Sequence, residues 1–505
     1  MKEVIAVLDI GKTNKKIAVY DRQLTLLELR SATFPAVDYE DVRVEQVENI
    51  EAWFLSAMKE LSKGYRIAAV SISAHGAAAV CVGRDGLPAV PVLDYTTEIP
   101  EKVHKDFFDV AGPTDVLQRE TCTAEIRPLI NVAKLLFFTR RRFPEEFKRV
   151  ESILLYPQYF AFRLTGIKCA DYTYVGCHTY LWDFTAGGWS DVARRLEMVS
   201  YLPERVDSPT GIAGHVTEEV SRRTGLSPQT PVLIGVHDSN SSLLPYLYMG
   251  QDDFILNSTG TWCVAMHPKE EAVLRESDIG KTVFFNLSVN NVLVKTAIFM
   301  GGLEFERWFG LLQKIHKRSD YPQLSEKKLR AVVEAADDFI LPGVVQGAGQ
   351  YPHSLARVVS RGREYRLSSI EAGEAVPDLF GDYEKAFMVL LLSLTLHTRV
   401  AFERTGLRPG IPIYTEGGFR QNWGYNAILA ALLPDNPVYT TEIEEAASYG
   451  AAWLGWAAIE YRDLSNLSEY TDFKKKLVTP MRIVGIESYA QRFFSLLDDG
   501  VTGEG

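Results

Sequence analysis

Apolar and polar positions fall into short blocks whose period changes along the chain, and those changes mark its elements. Val4 to Ile10 is an apolar run broken only by Asp9, the pattern of a buried strand. Gly11-Lys12-Thr13-Asn14 then supplies turn residues, Lys16 to Tyr20 a returning strand, and Leu24 to Leu29 a third, so the chain opens as a β-meander. A helical period over Ile50 to Leu61 leads to another buried-type strand, Arg66 to Ser73. Helices follow over Asn131 to Arg142, closed by Pro144, and over Tyr156 to Leu164, stopped by Thr165-Gly166.

Near residue 231 the pattern starts again. Pro231 to Val236 reads as a strand, Phe254 to Thr261 as a strand with a glycine turn, and Cys263 to Met266 and Val292 to Thr296 as further strands. Long helical segments at Tyr383 to Thr405 and Trp423 to Leu433 are interleaved with strands at Ile411 to Thr415 and Pro437 to Thr440. Each half thus begins with a strand–glycine–strand hairpin and continues with strands alternating with helices, which predicts two copies of one α/β architecture. The boundary is expected near residue 245, giving units 1–245 and 246–505. No low-complexity or Pro-rich linker separates them, so a substantial interface is expected.

Composition adds exclusions. The 505 residues are 46% hydrophobic and 24% charged, enough for two or three full cores at roughly 100–200 residues per domain. A net charge of -11 argues against a nucleic-acid-binding face. The five cysteines form no CxxC pair and match no zinc spacing, as expected of reduced thiols in a cytoplasmic protein. No run approaches the roughly 18 consecutive apolar residues of a membrane span, and no cleavable leader pattern precedes Val4.

Four short motifs carry candidate chemistry. In Asp9-Ile10-Gly11-Lys12-Thr13-Asn14-Lys15-Lys16, Gly11 lets backbone N–H groups approach an anion, and Asp9 at a strand end could hold a hydrated Mg²⁺. An ordinary charged turn uses the same residues. Asn257-Ser258-Thr259-Gly260-Thr261-Trp262 is a second hydroxyl-rich glycine hairpin at the matching place in the second half. The pair suggests two phosphate-gripping loops across a cleft. Gly235-Val236-His237-Asp238-Ser239-Asn240 puts a carboxylate where a strand gives way to a helix, either at the ligand-binding end of a sheet or simply as a helix cap. Glu416-Gly417-Gly418-Phe419-Arg420-Gln421-Asn422 is a glycine turn between strand and helix on which a base or phosphate could lie. The small-residue stretch Glu444 to Ala452 suits close helix packing.

In this order and over Asp9 to about Ala458, these motifs resemble the FGGY carbohydrate kinases of the sugar-kinase/actin/Hsp70 superfamily. The resemblance implies an α/β fold of two ribonuclease-H-like (actin-like ATPase) domains closing over ATP and a sugar, with the sugar on the first unit and most of the nucleotide on the second. Carried over, Lys12, Thr13, Asn14, Lys16, Gly260 and Thr261 contact ATP phosphates, and Asp9 helps hold Mg²⁺. Gly302 and Glu306 lie on the nucleotide side, and Gly418 and Asn422 border the adenosine. Asp238 is the base that deprotonates the sugar. His75, Gly76, Asp171, Tyr172 and His237 bind the sugar; the aromatics Tyr172, Tyr174 and Trp182 either supply an apolar wall for a methyl group or belong to the core.

The pairing His237-Asp238 and the run Gly260-Thr261-Trp262 look most like rhamnulokinases. They imply phosphorylation at O-1 of a 6-deoxy-ketohexose such as L-rhamnulose or L-fuculose. Tyr95-Thr96-Thr97-Glu98 stands where many members carry Trp-x-Asp-x-Arg, which weakens a xylulose or glycerol assignment. The rivals are a ketopentose kinase, a non-catalytic sugar-binding regulator and an actin-like assembly protein. The implied partners are a small sugar and ATP, with no nucleic acid and no membrane, and a homodimer is a compatible assembly.

Overall fold

The computed structural model describes residues 1–249, 253–269, 271–460, 463–465 and 474–498. Two seven-stranded mixed sheets dominate, one from each half of the chain. In the first, Leu26–Thr33, Asn14–Tyr20 and Lys2–Ile10 form the expected antiparallel meander, and Tyr65–Ala74 adds in parallel to Lys2–Ile10. Pro231–Leu233 and Val236–His237 pair in parallel with Tyr65–Ala74. The second sheet repeats the plan: Leu293–Phe299, Cys263–Lys269 and Ile255–Thr259 run antiparallel, then Ile413–Gly417 and Val438–Thr441 follow in parallel. Two sheets of one topology are what the repeated strand–glycine–strand pattern predicts.

Helices cover the sheets. Tyr383–Thr405 starts at Asp382, whose side chain accepts from the Lys385 amide, and stops at Gly406 with φ +96°. An acidic cap and a left-handed glycine are the chemistry that begins and ends a helix. This helix is long and apolar enough to cross a membrane, but 89% of its most apolar window is buried inside the protein, where it forms the core of the second half.

Residue 245 lies within helix Asp238–Leu247, and the second sheet begins at Ile255. Helix Ala446–Glu460, though late in the chain, packs on the first sheet. A side chain at Gly450 would overlap the Ser241 carbonyl, and one at Gly455 would press on Ile5. Trp456 Nε1 donates to the Asp21 carbonyl at 2.8 Å, and Ala451 to Ala457 share a core with Ile5, Val7 and Ala18. Small residues let this helix sit close enough to join the two halves.

Candidate active site

Three parallel strands of the first sheet end side by side, and each delivers a polar group at its carboxyl end. Asp9 and Val236 both face Ser73 across Tyr65–Ala74, so Asp9 and Val236 stand two strand spacings apart, roughly 10 Å along the sheet, and Asp238 follows Val236 by two residues. His75 follows the middle strand. The carboxyl end of a parallel sheet is where such folds place ligands. Asp238 is the first residue of helix Asp238–Leu247, and its Oδ1 accepts from the Ser239 amide at 2.7 Å. The capping position itself belongs to His237, whose side chain makes no capping bond. Asp238 therefore uses one oxygen at the helix start while remaining 29% exposed toward the cavity. Burial raises its pKa, and His75 and the Ser239 N–H pull it back. Asp9 is pushed up to about 7, first by burial and then by the charge of Asp238, with Lys16 opposing.

The cavity in front of Asp238 has a volume of about 280 Å³, at the small end of ligand cavities at roughly 300–1,000 Å³. His75, Gly76, His237 and Asp238 line it from the sheet, with Lys12 and Thr13 from the first hairpin. Ser258 to Trp262 closes it from the second half, and Phe284 and Asn286 reach in from strand Val283–Leu287. Tyr95, Ile130, Cys177 and His178 also line it. Burial lowers His75 to about 4 and His178 and His237 to about 3, so all three imidazoles are neutral at pH 7. A side chain at Gly76 would stand 2.8 Å from the Nε2 atoms of both His178 and His237. Glycine keeps the space between these two imidazoles open.

Several predicted residues fall elsewhere. Asp171 is fully buried, and its carboxylate accepts from the Thr173 hydroxyl and amide and the Tyr174 amide, capping the short helix Tyr172–Val175. Tyr172 donates its hydroxyl to the Val289 carbonyl at 2.6 Å and does not line the cavity. Tyr174 is buried, its hydroxyl bonded to His75 O and Ala78 O, so it braces the His75–Ala78 turn. Trp182 packs edge-on against Trp189, also outside the lining. Instead, Tyr95, Ile130, Trp262 and Phe284 form the cavity's apolar side.

The candidates Gly302 and Gly418 pack around the second hairpin, which carries Gly260. A side chain at Gly302 would overlap the Gly260 carbonyl, and one at Gly417 the Thr259 carbonyl. The Thr259 hydroxyl ties the loop to the glycine turn, donating to Glu416 O and accepting from the Phe419 amide. Gly302 lies in the first turn of the 16-residue helix Gly301–His316, where the Gly301 and Gly302 amides meet the Cys263 sulfur and the Leu303 amide donates to the Thr261 carbonyl at 3.4 Å. Gly260, Thr261 and Gly418 are exposed at the loop tips. Asn422 caps helix Trp423–Leu432, its Oδ1 accepting from the Tyr425 amide at 3.0 Å. Glu306 is exposed on helix Gly301–His316. The buried carboxylate of that helix is Glu304, raised to about 7 by burial and bonded by the Gly343 amide at 3.0 Å.

In the first hairpin, Asn14 is exposed and its Oδ1 accepts from the Thr33 hydroxyl at 3.4 Å. Lys16 pairs with Asp9 in the strand register and forms an ion pair with Glu445. Lys12 turns the other way, into contact with Glu45 and Asp94. Those two carboxylates, together with Phe284, Asn286 and Ile130, have no motif around them and escape a reading of the sequence.

Comparison with known proteins identifies the family. Residues 4–245 match the N-terminal domain of the FGGY family of carbohydrate kinases, and residues 251–463 match the carbohydrate kinase FGGY C-terminal domain. A rhamnulokinase from Halalkalibacterium halodurans is 27% identical over 132 residues, spanning 26% of this chain and 28% of that relative. The structure of a carbohydrate kinase from Novosphingobium aromaticivorans superposes with a TM-score of 0.74 at 24% identity, covering 99% of this chain and 98% of that one. A xylulose kinase from Rhodospirillum rubrum gives a TM-score of 0.77 at 16% identity, with 98% of each chain covered. At these identities the superpositions establish a shared fold, while the two domain matches run over nearly the whole chain. The chain belongs to the FGGY family of carbohydrate kinases.

Proposed function

We propose that this carbohydrate kinase transfers the γ-phosphoryl group of ATP to O-1 of a 6-deoxy-ketohexose such as L-rhamnulose or L-fuculose, with Asp238 as general base. The observation that carries this reading is the setting of Asp238, half-buried at the head of a helix and open to a sugar-sized cavity. A sugar hydroxyl is a weak nucleophile, and a carboxylate within hydrogen-bond reach accepts its proton as attack proceeds, worth roughly 10²–10⁴ in rate. Positioning and charge neutralisation supply the rest. Gly260, Thr261 and Gly302 with Thr13 and Asn14 of the first hairpin form the phosphate side, and Lys16 supplies the cation there. Gly418 and Asn422 border the adenosine. In this reading residues 1–245 bind the sugar and residues 246–505 the nucleotide.

Mg²⁺ fits the donor set: Asp9 offers hard oxygen ligands, and its pKa, raised by burial and then by the charge of Asp238, is one that a nearby cation would lower. Bound with ATP, the ion would neutralise charge on the transferring phosphoryl group. His75, His178 and His237, all neutral, are suited to hydrogen-bonding hydroxyls rather than anions. The apolar side formed by Tyr95, Ile130, Trp262 and Phe284 supports a substrate with a methyl group. The five buried, unpaired cysteines support a cytoplasmic location.

ATP turnover measured with L-rhamnulose, L-fuculose, D-xylulose and L-ribulose tests the substrate. The deoxy sugars should give the highest kcat/KM, and a preference for either pentulose would reject the 6-deoxy reading. Asp238→Asn should keep ATP binding and lose about 10²-fold or more in kcat. Near wild-type turnover by that variant would remove Asp238 from the role of base.

A further inference from the structure

We propose that the ammonium of Lys12 is a sugar-binding group that donates to a substrate oxygen, and not a counter-charge for the phosphates of ATP. This rests on the cavity being the sugar site. Strand alternation sends neighbouring side chains to opposite faces, and the register pairs Asp9 with Lys16 but Ile10 with Lys15. Lys16 and Asp9 therefore share the face that meets Glu445. Lys12, at the hairpin tip, reaches the other side of the sheet end. There its Nζ donates to Glu45 Oε1 at 2.8 Å and to Asp94, and stands 4.7 Å from the centre of the Tyr95 ring. Both carboxylates are 1% exposed, whereas the Lys12 side chain is 22% exposed and lines the cavity.

The ligand chemistry follows from counting donors and charges. An ammonium has three N–H donors, and two are taken by Glu45 and Asp94, which leaves one for the cavity. Glu45 and Asp94 face two ammoniums, Lys12 and the buried Lys15, whose Nζ stands 3.9 Å from Glu45 Oε2, so the cluster is charge-balanced and a polyphosphate or a sugar acid gains little from it. A neutral hydroxyl gains a fixed, directed donor. A second group at the same end points to the same ligand. The Nδ1 of His75 contacts the Gly76 carbonyl at 2.7 Å, so Nδ1 carries the proton and Nε2 is the acceptor. That Nε2 is buried without a hydrogen-bond partner, 3.9 Å from Glu45 Oε1. Lys12 as donor and His75 as acceptor together fit one hydroxyl, or an adjacent pair, of a neutral sugar.

The test is the split between the two Michaelis constants in the full-length enzyme, using the ketose it turns over best. Lys12→Met should raise the KM for sugar by about tenfold or more and leave the KM for ATP nearly unchanged. Lys16→Met should show the opposite pattern. Because Lys12→Met leaves buried Asp94 without its cation while Glu45 keeps Lys15, the charge-balanced Lys12→Met/Asp94→Asn protein is measured beside it and should show the same split. Single-deoxy analogues of the sugar should include one that costs wild type as much as the substitution does, with no further loss in the variant. A rise in the KM for ATP alone, or equal rises in both constants, would overturn the proposal. Wild-type enzyme that turns over no neutral sugar would overturn both this inference and the substrate reading beneath it.

Discussion

Asp238 must be ionised to take a proton, and its burial works against that. Its pKa stands above the ordinary carboxylate range, with His75 and the Ser239 amide only partly offsetting the desolvation. The sign follows: the base is lost as pH falls through that raised value, so kcat/KM should decline on the acid side with a midpoint above about 4. A pH profile of kcat/KM against sugar checks this, and a midpoint at or below 4 would contradict it. Asp238 was legible in the sequence because a carboxylate after a buried strand is a local signal. Asp171 is assigned to the sugar by resemblance alone, and there the structure finds a fully buried cap at the start of a short helix. Nothing within a few residues distinguishes the two; the difference is whether a cavity opens beside the carboxylate. The lysines divide in a similar way. Their charges are plain in the sequence, but the carboxylates that hold Lys12 lie 33 and 82 residues away.

Among the elements, the glycine hairpins were legible and their contacts were not. Gly260 and Gly302 are 42 positions apart in the chain, yet Gly302 leaves room for the Gly260 backbone, since a side chain at Gly302 would enter the Gly260 carbonyl. Gly302→Ala should therefore displace the second hairpin. At an overpacking cost of about 1–3 kcal/mol, it should weaken ATP binding by about tenfold while leaving the KM for sugar little changed. Calorimetric titration with ATP, alongside circular dichroism to show that the fold is kept, measures this. An unchanged ATP affinity would mean that the loop does not touch the nucleotide. Strand Val283–Leu287 shows the limit of local reading. Its residues are apolar enough for any buried strand, but only its pairing with Leu293–Phe299 turns Phe284 and Asn286 into the cavity.

At the scale of the whole molecule, the cavity exists because the two halves are held against each other. Gln118 of the first half reaches the carbonyls of Asp278, Lys281 and Val283 at 2.8–3.2 Å, and its Oε1 accepts from the Gly280 amide at 2.8 Å. This clamp fixes the segment that leads into Phe284. Gln118→Ala leaves buried backbone groups short of partners, at about 1–3 kcal/mol. The melting temperature should fall by several degrees and the KM for sugar should rise. Thermal denaturation and sugar-dependent kinetics test this together, and a variant with unchanged KM would place the clamp outside substrate positioning. By itself the sequence determined the repeated strand–glycine–strand plan, the central helices and the place of Asp238, because periodicity, turn chemistry and caps act over a few residues. Only the tertiary structure decided which side of the sheet each lysine serves, which aromatic rings wall the cavity and which late helix completes the first half. Those outcomes depend on side-chain direction and on contacts between segments far apart in the chain, to which local patterning is blind.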